Sequence, residues 1–176
     1  MMIGKGKIIK NKGIFKFNFT VEHDNNLNSH AIARACDDMA KTKTGAIMVI
    51  TQMDDLAVFT ESGVEMNAEI SVPMIESIFY KNSPLHDGAT IIRDNYIVAT
   101  RVILPISSST TIPARFGLRH RAAIGLSQET DAMVIVVSEE TGNISVAREG
   151  RLATKIEPFQ LRERLGGILQ DTSSGT

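Results

Sequence analysis

The chain has no tryptophan, one cysteine, two tyrosines and five prolines in 176 residues. Each shortage excludes something. The lone Cys36 cannot form an internal disulfide and cannot support a cysteine-rich zinc site. Histidines 23, 30, 86 and 120 show none of the paired spacing of a zinc ligand set. No apolar run approaches the roughly 20 residues of a membrane helix; the longest is Ala132–Val137. The first residues are polar and lysine-rich, so no secretory signal is visible and the default compartment is the cytosol. Neither sign of charge dominates: 19 Lys+Arg stand against 20 Asp+Glu, a formal net charge of −1. That balance argues against binding nucleic acid through bulk charge. The common catalytic signatures are also missing: no Walker-type phosphate loop, no GxGxxG after a strand, no HExxH and no GxSxG.

What is present is an ordinary globular composition, 43% hydrophobic and 22% charged. A chain of this length buries about two thirds of its unfolded surface and needs no staples to fold. Residues 1–28 read as a basic arm, in which Phe15, Phe17 and Phe19 alternate with polar residues as in a short edge strand. The lysines of this arm also suit a segment lying against anionic lipid. Residues 29–170 read as one domain, and residues 171–176 as a small, polar, frayed tail. Ser29 is placed to cap a helix to about Ala40, whose apolar face includes Cys36 as a core residue. Ala46–Ile50 reads as a buried strand and Val64–Ser71 as extended. Pro73 opens a helix that buries Met74, Ile75, Ile78 and Phe79. Ala89–Arg93 and Tyr96–Leu104 form a hairpin about Asp94-Asn95. Leu118–Ser127 is helical with Gly125 as a weak spot, Met133–Ser138 and Asn143–Arg148 pair, and a last helix runs from Pro158 to about Leu169. Strands interleaved with helices and hairpins predict an α/β domain: a central mixed sheet with helices on both faces.

Three clusters carry chemistry. Pro84-Leu85-His86-Asp87-Gly88-Ala89-Thr90 sets a His and an Asp just before a strand. Asp-Gly is a common turn in which the Asp bonds its own backbone. Spacing alone favours that turn; the alternative is that the Asp87 carboxylate takes a proton from a hydroxyl or holds a divalent cation. Gly117-Leu118-Arg119-His120-Arg121 opens a helix with two arginines around a histidine. Free N–H groups, the helix dipole and guanidinium forks favour an anion there, against the alternative of a solvated basic turn. Ser138-Glu139-Glu140-Thr141-Gly142 follows a buried strand; it reads as an acidic hairpin turn, or as a hydroxyl for phosphate beside a carboxylate for a metal or polar ligand edge. Together the clusters suggest phosphoryl chemistry.

Taken in order, Gly45-Ala46-Ile47-Met48-Val49, Asp87-Gly88-Ala89, Arg119-His120-Arg121 and Val137-Ser138-Glu139-Glu140-Thr141-Gly142 resemble the diadenylate cyclase family, most closely its membrane-anchored bacterial branch. The likeness covers roughly residues 30–170. It implies a nucleotidyltransferase that condenses two ATP into 3′,5′-linked cyclic di-AMP, a bacterial second messenger, and releases two pyrophosphates. It implies a homodimer with two facing sites, or a larger assembly, ATP and Mg²⁺ or Mn²⁺ as ligands, and no nucleic acid. By resemblance the catalytic motifs are Asp87, Gly88 and Ala89 with Arg119, His120 and Arg121. Asp87 assists the ribose 3′-hydroxyl; Arg119, Arg121 and Ser138 hold phosphate. His86 joins Asp87 as a metal ligand, Glu140 sits near the metal or the base, and Leu104 offers backbone groups to adenine. Two positions depart from the family pattern: Leu118 stands where a Thr is usual, and Ile103 where an aromatic often stacks on the base. The branch carries membrane helices ahead of this domain, which implies residues 1–28 as a linker remnant, a full-length protein anchored in the membrane with the domain facing the cytoplasm, and this chain by itself in the cytoplasm. Two rival readings are a degenerate module that binds ATP or cyclic di-AMP without turnover, and a monomeric metal-dependent phosphohydrolase built on His86 and Asp87. A purely structural role leaves the charged clusters unexplained.

Overall fold

The structure is a computed structural model and describes residues 27–173. The basic arm up to residue 26, with its alternating phenylalanines, and residues 174–176 lie outside the described residues. Helix α1, Ser29–Lys41, is capped one residue earlier than the sequence suggests: Asn28 Oδ1 accepts the Ala31 N–H at 2.9 Å. Strand β1, Ala46–Ile50, follows and is buried at all five positions. A single turn of helix, α2 at Ala57–Thr60, leads to β2, Val64–Glu69. Helix α3, Val72–Phe79, is capped by the Ser71 hydroxyl and has Pro73 in its first turn. The hairpin β3, Ala89–Arg93, and β4, Tyr96–Val102, turns at Asp94-Asn95. Helix α4, Leu118–Glu129, comes before β5, Met133–Val137. Strands β6, Ile144–Arg148, and β7, Arg151–Ala153, close the sheet, and α5 spans Pro158–Ser173.

The seven strands run in the order β2-β4-β3-β1-β5-β6-β7. Only β1 and β3 are parallel, in register Met48↔Thr90; every other neighbour is antiparallel. The period-two alternation of strand side chains divides the core between two faces. Ala46, Met48 and Ile50 of β1, with Met133 and Ile135 of β5, pack beneath α1, α3 and α5. Ile47 and Val49, with Val134 and Val136, pack against Ala123 and Leu126 of α4. The domain is therefore a mixed sheet with helices on both faces. Cys36 is fully buried in the first layer, and burial, with the Asp37 charge second, pushes its thiol up to about 12. Such a thiol is core and not a nucleophile.

Differences from the sequence reading are local. Met74 is only partly buried, and Phe159, an apolar residue in the first turn of the last helix, is exposed. Helix α2 and strand β7 are too short for periodicity to reveal. Among the described residues, no helix is long and apolar enough to cross a membrane.

Candidate active site

Parallel pairing of β1 with β3, and antiparallel pairing elsewhere, brings the starts of β1, β3 and β6 and the finishes of β4, β5 and β7 to one end of the sheet. A cleft of about 1640 Å³ opens there. Its lining includes His86, Asp87, Gly88, Ala89, Leu104, Leu118, Arg119, His120, Ser138 and Glu140, so segments far apart in sequence meet in one place. Arg121 is not among the lining residues.

The Asp87 segment leaves α3 through a turn organised by Ser83. The Ser83 hydroxyl accepts the Leu85 N–H at 3.1 Å, and its carbonyl lies 2.7 Å from His86 Nδ1. A carbonyl can only accept, so Nδ1 carries the proton and Nε2 presents its lone pair. That Nε2 lies 3.8 Å from Asp87 Oδ1, and the Asp87 side chain is 80% exposed. The turn therefore draws its bonds from Ser83, and the Asp87 carboxylate is left facing the open cleft. Gly88 has φ +100°, and a Cβ there would lie 2.7 Å from the Arg101 carbonyl carbon. Both facts require glycine. Arg101 itself has φ +57° beside the register shift between Ala89↔Val102 and Ile91↔Ala99, a bulge that bends β4 against the Asp87 turn.

Helix α4 begins at Gly117 with no side-chain cap, so its first N–H groups face the cleft uncapped. The Arg119 guanidinium lies over Gly45: a Cβ at that glycine would sit 2.8 Å from Cζ. Arg119 Nη1 is 3.5 Å from Glu139 Oε1. His120 is buried, its ring 5.0 Å from that of Phe116, and Arg115 stacks over Phe116 at 4.6 Å. Burial first, and the Arg119 charge second, hold His120 below the usual imidazole range, while Glu140 pulls upward. Arg121 turns to the preceding connection, where Nη2 lies 3.4 Å from the Ile112 carbonyl and 3.5 Å from that of Pro113.

The third segment is the β5–β6 turn. The Ser138 hydroxyl accepts the Glu140 and Thr141 N–H groups, each at 3.2 Å, which leaves its own proton free to donate. Two apolar residues complete the wall, Ile103 at 72% and Leu118 at 70% exposure, while Leu104 is buried. Sequence reasoning missed the roles of Gly45, Glu139 and Phe116. The available signal was a glycine directly before the central strand, where any side chain would crowd the strand-end cleft.

No group of three or more His, Cys, Asp or Glu side chains gathers among the described residues. A hard divalent cation that keeps waters and takes phosphate oxygens needs only one or two protein donors. The Asp87 carboxylate fits that requirement, and His86 Nε2, 3.8 Å from Asp87 Oδ1, adds a nitrogen donor that suits Mn²⁺ better than Mg²⁺.

The chain matches the family model described as DisA bacterial checkpoint controller nucleotide-binding over residues 33–152. It is 38% identical to the cyclic di-AMP synthase CdaA of Bacillus subtilis, over 98% of this chain and 63% of that protein. It is 37% identical to a diadenylate cyclase of Listeria monocytogenes, over 93% of this chain and 58% of that protein. The chain thus spans about three fifths of the length of these curated relatives. A crystal structure of a double mutant of DacA from Staphylococcus aureus superposes with a TM-score of 0.78 at 36% identity, over 88% of this chain and 98% of that one. With the family model matched over residues 33–152 and curated relatives 37–38% identical over more than nine tenths of its length, the chain belongs to the diadenylate cyclase family.

Proposed function

We propose that this domain condenses two ATP molecules into cyclic di-AMP and two pyrophosphates, with two protomers facing across their clefts. The observation that carries the reading is the convergence of Asp87, Arg119 and Ser138, from three separate segments, on one cleft. Arg119 binds the polyphosphate of the resident ATP, and the uncapped start of α4 adds N–H groups and a favourable dipole. The Ser138 hydroxyl donates to a phosphate oxygen, and Glu140 borders the same region. Ile103 and Leu118 cover the base by apolar contact, with the Leu104 backbone at its edge. Asp87 takes the proton of a ribose 3′-hydroxyl as that oxygen attacks the α-phosphorus of the facing ATP. A P–O3′ bond forms, the bond from the α-phosphorus to the α–β bridging oxygen breaks, pyrophosphate leaves, and the proton passes from Asp87 to water. The reciprocal attack closes the ring. The exposure of Asp87 at the open side of the cleft supports an attack on a nucleotide held by a second copy. Mg²⁺ or Mn²⁺ held by His86 Nε2 and Asp87 supplies charge neutralisation on the phosphate oxygens when bound. The domain works at the membrane from the cytoplasmic side, a reading supported by 40% identity, over 79% of this chain, to a solved structure described as a hypothetical membrane spanning protein from Bacillus cereus.

The test is incubation of the chain with ATP and Mn²⁺ or Mg²⁺, with products identified by mass spectrometry. Cyclic di-AMP that disappears in Asp87→Asn is the expected result. Intact ATP would replace the reading with that of a binding module, and free phosphate without cyclic product with that of a hydrolase.

A further inference from the structure

We propose that Arg121, the second arginine of the Arg-His-Arg motif, is a positioning residue that holds the cleft wall and makes no contact with the nucleotide. Residues 103–117 connect β4 to α4 and carry Arg115 and Phe116 to the cleft. A connection this long without secondary structure of its own needs anchors to keep one shape. Its start is fixed by main chain: Pro105 packs on Gly125, where a Cβ would lie 2.9 Å from Ser107 N, and Ser107 N–H donates to the Arg121 carbonyl at 3.0 Å. Its end is fixed by Phe116 against His120. The middle has one tie to another element. Among the hydrogen bonds of the described residues, those from Arg121 Nη2 to the Ile112 and Pro113 carbonyls alone reach residues 110–114 from outside the connection. One guanidinium nitrogen shared between two successive carbonyls suits the planar fork of an arginine. The half-buried Arg121 is directed at the Ile112 and Pro113 carbonyls and does not line the cleft, while Arg119, two positions earlier on the same helix, does. Residues two apart on a helix face different directions, so the two arginines of the motif divide the work. Arg119 meets the anion, and Arg121 holds the loop that frames it.

What the loop frames rests on the cyclase reading; the hold itself does not. The full chain is compared with Arg121→Met, which keeps the stem and the helix propensity, Arg121→Lys and Arg119→Met, with folding checked by thermal melting. Limited trypsin cleavage after Arg115 is followed by mass spectrometry. Cleavage that follows local opening rises by about tenfold in Arg121→Met. It takes an intermediate value in Arg121→Lys and stays at the wild-type rate in Arg119→Met. Binding of ATP and AMP is then measured. Arg121→Met weakens both by the same factor, whereas Arg119→Met weakens ATP more than AMP. Wild-type cleavage rates in Arg121→Met overturn the proposal, as does a loss of ATP affinity that exceeds the loss for AMP by about tenfold, the mark of a lost charge-assisted phosphate contact. A wild-type chain that binds neither nucleotide would sink the cyclase reading and leave the trypsin comparison to decide the role of Arg121.

Discussion

Gly45 has no side chain, and Arg119 uses the space. A methyl group there first meets the far end of the arginine side chain, at 2.8 Å from Cζ, so the fold tolerates it and the guanidinium moves. Gly45→Ala should therefore raise KM for ATP by about tenfold, the scale of one charge-assisted contact, with the melting temperature nearly unchanged. Gly88 differs because the obstacle is backbone. Gly88→Ala forces a side chain into φ +100° against Arg101, and should cost about 2 kcal/mol or more in denaturant unfolding. Asp87→Asn should lower the rate of product formation by about 100-fold or more, without loss of stability, since the side chain is exposed. His120 ties the site to pH. Its folded pKa lies below the unfolded value of 6.5, so the unfolded chain binds the proton more readily. Stability contributed by neutral His120 is intact above pH 6.5 and is lost as pH falls from there through the lowered folded value. Melting curves between pH 7 and 5 should decline, and His120→Asn should flatten part of that decline. At this scale the motif residues were legible, because Asp-Gly-Ala and Arg-His-Arg are contiguous. The partners were not: that Gly45 lies under Arg119, or that Arg121 reaches Ile112, depends on packing between segments that no local pattern encodes.

At the scale of elements, α4 shows how a local rule is overridden. Glycine within a helix costs about 1 kcal/mol relative to alanine, which marks Gly125 as a weak spot on paper. In the fold a Cβ at Gly125 overlaps the Pro105 carbonyl, so the glycine is the seat on which the loop after β4 rests. The pairing of α1 with α3 carries the opposite kind of information. Glu76 of α3 has a shielded Oε2 without a hydrogen-bond partner among the described residues. Its pKa is raised by burial first and by the neighbouring Asp38 carboxylate second, against the lowering effect of Arg34. A raised carboxyl favours the neutral form in the fold, so this stabilisation is present at acid pH and is lost as pH rises through the raised value. Glu76→Gln should raise the melting temperature at pH 7, and the gain should vanish at pH 4. The long helices and the hydrophobic strands were legible from periodicity and capping residues. Helix α2 and strand β7 were not, since neither completes enough of a period to leave a pattern.

For the whole molecule, the alternation of strands and helices was sufficient to read an α/β domain with both faces covered. The order of the strands was not legible, because pairing is set by which surfaces meet and not by local composition. On the proposed reading that two protomers face across clefts at one end of the sheet, specific activity should rise with enzyme concentration across the range in which such a dimer would form. Activity per mole that stays constant over the dissociation range would count against the facing-protomer arrangement.

The strand order also has a temporal meaning. Strand β1 is the first strand among the described residues but sits in the middle of the sheet, with Met48 beside Thr90 on one side and Ile135 on the other. During synthesis at the ribosome, its backbone must wait for both partners, and the second has not yet been made when the Asp87 and Arg119 segments are. The cleft, which needs the turn after β5, can be completed only once residues beyond 138 have emerged. Until then β1 is a fully apolar segment whose β5 edge stays open even after β3 has paired, the stretch of the nascent chain most in need of shielding from other chains.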